Sequence, residues 1–264
     1  MCPAPLHDNG AAPFQPQKMY DQEKIKPYGE SGGKSSQVRL MFDRIAHSYD
    51  TLNHTLSAGV DKIWRRQTIK SLSKSMEKAT NILDVATGTG DMAILAARQF
   101  PSAHVTGIDI SDGMMAIGRQ KLEKEGLTDK VVLMNADCSS LPFHNGAFDA
   151  IVSAFGLRNF ANLDACLEEM HRVLSDDGHV AIADLCSPTA FPMRQLFWVY
   201  QRVVMPIAGR LISHDDKAYT YLPETMSAIP QGKDMKAIFE KAGFHNVAYR
   251  RLPFGMCMLY TAGK

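Results

Sequence analysis

DVATGTGD, residues 84–91, follows the apolar run NIL at 81–83 and precedes the helical pattern MAILAARQF at 92–100, and a second apolar run, HVTGID, ends on Asp109 about one βαβ unit later. Gly88 and Gly90 let the chain turn tightly and bring backbone N–H groups close to a ligand. An acidic side chain at the end of the second strand can accept from both ribose hydroxyls. The combination reads as a nucleoside site. A dinucleotide fingerprint needs a third glycine near position 93, where the helix approaches a pyrophosphate, and Ala93 stands there after Asp91 and Met92. An acid at a helix N-terminus, the end that welcomes anions, suits a ligand with an amino group and a sulfonium better than a diphosphate. S-adenosylmethionine is such a ligand.

Outward from this run the chain alternates strand and helix. Strands are expected over 81–85, 104–109, KVVLMNA at 130–136, FDAIVSAF at 148–155 and HVAIADL at 179–185, with helices over 90–99, from the N-cap Ser111 to Glu125 before Gly126, and over 162–174. That is the pattern of a parallel sheet covered by helices. Residues 187–232 break it with aromatic side chains and five prolines, which argues for short, kinked helices over the carboxyl edge of the sheet. A helix over 233–242 follows, and then strands near 246–252 and 256–262 whose short connection forces an antiparallel pair. The expected architecture is a seven-stranded mixed sheet with an antiparallel last strand. Upstream, helices over 36–47 and 57–74 flank the polar and aromatic connector SYDTLNHT at 48–55. Residues 1–35, rich in Pro, Gly and polar residues, read as a flexible arm. The domain proper is 36–264, with 36–75 as an N-terminal helical lid and 187–232 as a substrate-side insertion.

With 264 residues and 45% hydrophobic composition the chain can bury a substantial core. Its 29 basic and 28 acidic residues nearly cancel, so the overall field gives no support to a nucleic-acid binder and leaves a small-molecule or lipid substrate. Cys2, Cys138, Cys166, Cys186 and Cys257 follow no metal-ligand spacing, and an odd count is unlike a disulfide framework; no metal and a reduced, cytoplasmic setting are expected. No apolar stretch reaches the roughly 18–20 residues of a membrane span.

FDRIAHSYDTLNHTLS at 42–57, DVATGTGD, GIDIS at 107–111, LPF at 141–143, FGLRNF at 155–160, AYTYLPE at 218–224 and AGFHNV at 242–247 together resemble the quinone-ring C-methyltransferases of menaquinone and ubiquinone synthesis, the UbiE/COQ5/MenG family. The likeness runs from about Lys34 to Lys264. It implies the class I, Rossmann-like fold of methyltransferases that use S-adenosylmethionine and release S-adenosylhomocysteine. It also implies transfer of a methyl group to a ring carbon of reduced demethylmenaquinol, the last step of menaquinone biosynthesis, or of a benzoquinol or other prenylated phenol. Cofactor contacts are expected at Asp84, Ala86, Gly88, Thr89, Gly90, Asp109, Ile110, Asp137, Cys138 and Ala154, with Met114 or Met115 on the adenine. Asp84 either touches the amino group or braces the loop. Ala154 stands where the family often has serine, and RVLSDDG, ADLCSP and Tyr260 also depart from its usual pattern.

Ring methylation needs a hydroquinone, because the carbon ortho to a phenolate attacks the sulfonium methyl in line. Arg158 would stabilise the developing phenolate and Asn159 would fix a ring oxygen or organise its loop. Proton transfer falls to water, Tyr49, His54 or His171. Asp50, Asn53, Phe155, Tyr219 and Tyr221 are the expected substrate contacts, although short-helix packing would select similar aromatics. Expected partners are a polyprenylated quinol and, through Arg194, Arg202 and Arg210 beside exposed apolar residues, the surface of a membrane, in a peripheral and reversible contact. A homodimer is compatible with the sequence. Two other readings stand beside this one: an NAD-dependent oxidoreductase, opposed by the missing glycine, and an inactive nucleoside-binding protein on the same fold.

Overall fold

The computed structural model describes residues 19–29, 31–76, 78–199, 202 and 216–264. Strand β1 (Asn81–Val85) lies at the centre, and its residues 82–85 are all buried because helices cover both faces. It pairs in parallel with β2 (His104–Asp109) on one side and β4 (Phe148–Ala154) on the other. β3 (Val131–Asn135) continues the sheet beyond β2, and β5 (Leu174–Leu185) beyond β4. β7 (Cys257–Gly263) joins β5 antiparallel, and β6 (His245–Arg251) pairs antiparallel with β7 across the short turn Pro253–Gly255. The order β3-β2-β1-β4-β5-β7-β6 is the expected seven-stranded mixed sheet.

Side chains alternate between two apolar layers, as the period of a strand requires. Leu83, Val85 and Ile151 face α6 (Leu163–Val173) and α9 (Lys233–Lys241), meeting Leu167, Met170 and Phe239. Ile82 and Val152 face the other way, toward α3 (Val60–Ser75), α4 (Asp91–Gln99) and α5 (Asp112–Glu125), meeting Leu72, Ala93 and Met115. α5 begins on Ser111, whose hydroxyl accepts from Met114 N at 3.1 Å, and ends at the left-handed Gly126.

The N-terminal region differs from the reading above. Helix α2 (Lys34–Leu56) runs unbroken through SYDTLNHT. No glycine or proline interrupts it, and Tyr49/Asn53 and Asp50/His54 are four-residue pairs, so the polar run is one face of a helix and not a connector. Nor is all of the stretch to residue 35 a loose arm. Residues 19–29 pack against the domain through α1 (Asp21–Lys24): Tyr20 Oη donates to Asp164 Oδ1 at 2.8 Å, and Glu23 Oε1 accepts from Leu163 N at 2.7 Å. In the insertion, α7 (Met193–Val199) and α8 (Asp216–Ala228) are described, whereas Tyr200 and Arg210 lie outside the described residues. No helix among the described residues is long and apolar enough to cross a membrane.

Leu167 is fully buried between α6 and the sheet. Leu167→Ala should lower unfolding stability by about 2–5 kcal/mol, measured as a shift in the urea midpoint at unchanged slope.

Candidate active site

The register that sets Val85 beside Ile108 brings the end of β2 against the loop after β1. Asp109 Oδ2 accepts from Gly88 N at 2.8 Å and its Oδ1 from Ser111 N at 2.9 Å, so one carboxylate joins the glycine loop to the start of α5. Burial pushes Asp109 up to about 6, against the pull of these amides. Ala86 and Gly88 both hold positive φ, 57° and 56°. A Cβ at Gly88 would stand 3.3 Å from Met114 Cε, closing the space over the loop. Behind the loop Asp84 Oδ2 accepts from Thr87 Oγ1 at 2.6 Å, while Oδ1 is buried without a partner. Burial raises Asp84 to about 7.

Two adjoining spaces open at this edge. The larger, about 670 Å³, is lined by Asp109, Ile110, Met114, Asp137 and Cys138 together with Phe42, Tyr49, Phe155 and Asn159. The smaller, about 280 Å³, is lined by Arg65, Thr87, Thr89 and Asp91. They meet at Tyr49, Ala86, Gly88 and Ala154. The loop after β4 approaches so closely that a Cβ on Gly156 would lie 2.8 Å from Ala86 Cβ. S-adenosylmethionine fits this donor set: Asp109 and Asp137 supply acidic acceptors for ribose and adenine hydrogens, and Arg65 and Asp91 line the end suited to a zwitterionic amino acid.

The N-terminal helices are fastened to the glycine loop by charge. Asp50 Oδ1 accepts from Thr89 Oγ1 at 2.7 Å, and Lys121 Nζ reaches Asp50 at 2.9 Å, Thr89 at 3.1 Å and Asp91. Arg65, on α3, lies 3.6 Å from Asp91 and 3.3 Å from Asp61, and its guanidinium stacks 4.8 Å over Phe155. Although burial opposes it, Arg65 and Lys121 hold Asp91 below its ordinary carboxylate value. Asp43 fastens α2 to α5 by accepting from Ser111 Oγ at 2.6 Å and Gly113 N at 3.0 Å.

The wall facing the loop is built on a buried ion pair. Arg158 NH1 lies 2.6 Å from Asp184 Oδ1 and also donates to Phe155 O, and Asp184 Oδ2 accepts from Arg158 N at 2.9 Å. Lys34 Nζ donates to Arg158 O at 3.1 Å and to Gln22 O, tying α1 to the same turn. Burial lowers Lys34 to about 7. Phe155 is held at φ 67° and lines the cavity beside Asn159. Backbone strain at this place accompanies a site that the surrounding pairs over-determine.

The geometry sorts the expected residues. Tyr49 lines both spaces, and burial raises its phenol despite Arg65, Arg158 and a bond from Asn53, so it stays protonated as a donor. His54 turns instead to Asp61, with Nδ1 2.9 Å from Oδ2. His171 packs edge-on to Phe244, 5.2 Å between ring centres, and lies in the lining of neither space. Asp50 and Thr89 are engaged with each other, Gly90 caps α4, and Arg158 lies behind the wall with Asp184. Met114 lines the cleft, whereas Met115 is in the core. Asp137 Oδ1 accepts from Ser139 N and Oγ at 2.9 and 2.8 Å. The serine absent at Ala154 is supplied next door, but Ser153 Oγ donates to Val85 O at 2.7 Å and braces β1. Tyr221 is buried with Val38 and Met41, its hydroxyl unpartnered, and the side chain of Tyr219 lies outside the described residues. The expectation of unpaired thiols is corrected at one place: Cys138 and Cys166 form a disulfide across a Cα–Cα distance of 5.0 Å, while Cys186 and Cys257 are free and buried. Lys121, Asp43 and Lys34 carried no signal, because the partner of each is distant in the chain, and Arg65, one helical turn from Asp61, meets Asp91 and Phe155 only in the fold.

The fold is the class I, Rossmann-like one of S-adenosylmethionine-dependent methyltransferases. Solved structures with this fold include an Aquifex aeolicus SAM-dependent methyltransferase (TM-score 0.53, 20% identity, 74% of this chain and 88% of that one) and the [4+2]-cyclase SpnF (TM-score 0.63, 18% identity, 87% and 96%). The cyclase shows that the fold alone does not settle the reaction. The pattern of the ubiE/COQ5 methyltransferase family matches residues 30–264, and the chain belongs to that family. A demethylmenaquinone methyltransferase of Bacteroides fragilis is 52% identical over 93% of this chain and 99% of its own length, and one of Porphyromonas gingivalis 43% identical over 93% and 100%. A ubiquinone/menaquinone biosynthesis C-methyltransferase of Geobacter sulfurreducens is 38% identical over 88% and 90%.

Because Asp84 titrates at about 7 when folded, above its ordinary 3.8, the folded state holds a proton that the unfolded chain gives up. Its contribution to stability is complete below about 3.8 and is lost as pH rises toward 7. Urea midpoints from pH 4 to pH 7 should therefore fall less steeply for Asp84→Asn than for the unsubstituted protein.

Proposed function

We propose that the chain transfers a methyl group from S-adenosylmethionine to a ring carbon of reduced demethylmenaquinol, giving menaquinol and S-adenosylhomocysteine as the last step of menaquinone biosynthesis. The observation that carries this reading is the cavity wall of Tyr49, Phe155, Asn159 and Phe160, an aromatic slot with one amide that adjoins the glycine loop at Ala86 and Gly88. The names of the Bacteroides and Porphyromonas relatives support the ring assignment.

The cofactor supplies an electrophilic methyl on sulfur. The protein supplies alignment: Asp109 and the loop amides set the nucleoside end, Arg65 and Asp91 the amino-acid end, and the slot holds the ring with its reacting carbon toward the methyl. The Arg158–Asp184 pair acts on the ring through Phe155, whose carbonyl it holds and to which the Asn159 side chain donates. Tyr49, protonated and facing both spaces, donates a hydrogen bond to the developing phenolate. Proton removal from the ring falls to water, since neither His54 nor His171 lines the slot.

The same reading places the prenyl tail at a membrane surface. Phe191, Leu196, Trp198 and Val199 are exposed on and beside α7, and Arg202 stacks 4.2 Å over Trp198. Apolar side chains with adjacent guanidinium groups suit peripheral contact with anionic lipid.

The test is transfer of labelled methyl to reduced short-tail demethylmenaquinol, with the oxidised quinone and a benzoquinol alongside. Label in the naphthoquinol ring is expected; label in the benzoquinol alone would overturn the ring assignment. Asp109→Asn should weaken S-adenosylmethionine by roughly 10- to 100-fold, read by calorimetry. Cofactor affinity of the unsubstituted protein should fall as pH drops through about 6, where Asp109 takes up its proton.

A further inference from the structure

Two of the segments that line the larger cavity come from strands that do not touch. One follows β3 and contributes Ala136, Asp137 and Cys138; the other follows β4 and contributes Asn159, Phe160 and Ala161 just before α6. β2 and β1 lie between β3 and β4 in the sheet, so no ladder hydrogen bond joins the two segments. The Cys138–Cys166 disulfide joins them covalently, from the first segment to the start of α6. Its Cα–Cα distance of 5.0 Å is ordinary for such a bond. The Asp137 carboxylate lies within 4.8 Å of both sulfurs, so the bond and a cofactor contact are immediate neighbours.

A second, noncovalent link runs beside it. Leu141 N donates to Glu169 Oε2 at 2.7 Å, and Arg172 NH2 donates to Leu141 O at 3.0 Å. Opening the disulfide therefore releases the lining residues without detaching their loop from α6. The two sulfurs also differ in surroundings. Cys138 is half-buried and lines the cavity, whereas Cys166 is in the core with Leu163, Leu167 and Met170. An outside thiol meets the pair from the Cys138 side, where a bound cofactor would stand.

We propose that Cys138 and Cys166 form a reversible redox site: the disulfide clamps two walls of the cofactor cleft and strengthens S-adenosylmethionine binding, and the two thiols relax the walls and weaken it. The proposal rests on the cofactor and not on the ring assignment. Opening proceeds by exchange with a small dithiol. One thiolate of the donor attacks the Cys138 sulfur, the protein S–S bond breaks, and Cys166 leaves as a thiol; the donor's second thiol then displaces Cys138. Two electrons and two protons pass to the protein, and the donor becomes a disulfide. A cleft wall already held in place need not be ordered when the cofactor binds, which is why the clamped form binds more tightly. The linkage is reciprocal: a cofactor that prefers the disulfide form must stabilise that bond against reduction by the same factor.

The experiment compares the intact protein before and after dithiothreitol, with the Cys138–Cys166 peptide pair followed by alkylation and mass spectrometry and S-adenosylmethionine affinity by calorimetry. Reduction should weaken binding about fivefold or more. In a buffer of reduced and oxidised dithiothreitol, saturating S-adenosylmethionine should raise the disulfide fraction by a matching factor in the equilibrium constant. Cys138→Ala and Cys166→Ala should each bind like the reduced protein and ignore dithiothreitol, whereas Cys186→Ala, at a free cysteine away from both spaces, should keep the response. Equal affinity in the two states, a disulfide fraction that the cofactor does not move, or a response that survives in either folded Cys138 or Cys166 variant would overturn the proposal. Each of these results leaves the methyltransferase reading in place, because none of the readouts depends on methyl transfer.

Discussion

One carboxylate holds the site together. Asp109 stands at the end of β2, beside the loop that leaves β1, and its two oxygens take the amides of Gly88 and Ser111. That bridge joins the glycine loop directly to the start of α5. The same group is nearly enclosed, which raises its proton affinity and readies its remaining acceptor capacity for hydroxyls. Sheet register makes this possible, because parallel pairing of β1 with β2 places Val85 level with Ile108. The Asp109 bridge is thus a property of the central sheet.

The lid is held by a different kind of force. Its links to the loop run through Asp50, Lys121, Asp91, Arg65 and Asp61, several of which keep partial contact with solvent. Such pairs are individually weak and screened by salt. The wall at Phe155 is built more rigidly. Arg158 and Asp184 are buried together, and breaking such a pair is far more costly than losing a surface link.

Asp109, Gly88 and Ser111 were legible because turn chemistry and capping are local: each acts within a few residues of its place in the chain. The polar run SYDTLNHT shows where locality misleads. Its composition resembles a connector, yet α2 passes through it, and helical phase sends Tyr49 into the cleft and His54 to Asp61. Arg158 and Asn159 are neighbours with different fates, one paired behind the wall and one lining it. Lys34 joins two carbonyls, 12 and 124 residues away, and nothing in its own surroundings announces either. The Cys138–Cys166 contact is similar, joining positions 28 residues apart that match no motif.

Strand and helix alternation, the nucleoside loop and the antiparallel final pair were all written into periodicity and connection length, because these depend on spacing along the chain. Which side chains meet across the cleft depended on packing. Met114 faces the cavity and Met115 the core only because α5 has one particular rotation on the sheet. Arg65 and Lys121 converge on Asp91 only because α3 and α5 flank α4. Such distances belong to segments far apart in sequence, so no local pattern records them; they exist only once the layers have closed on one another.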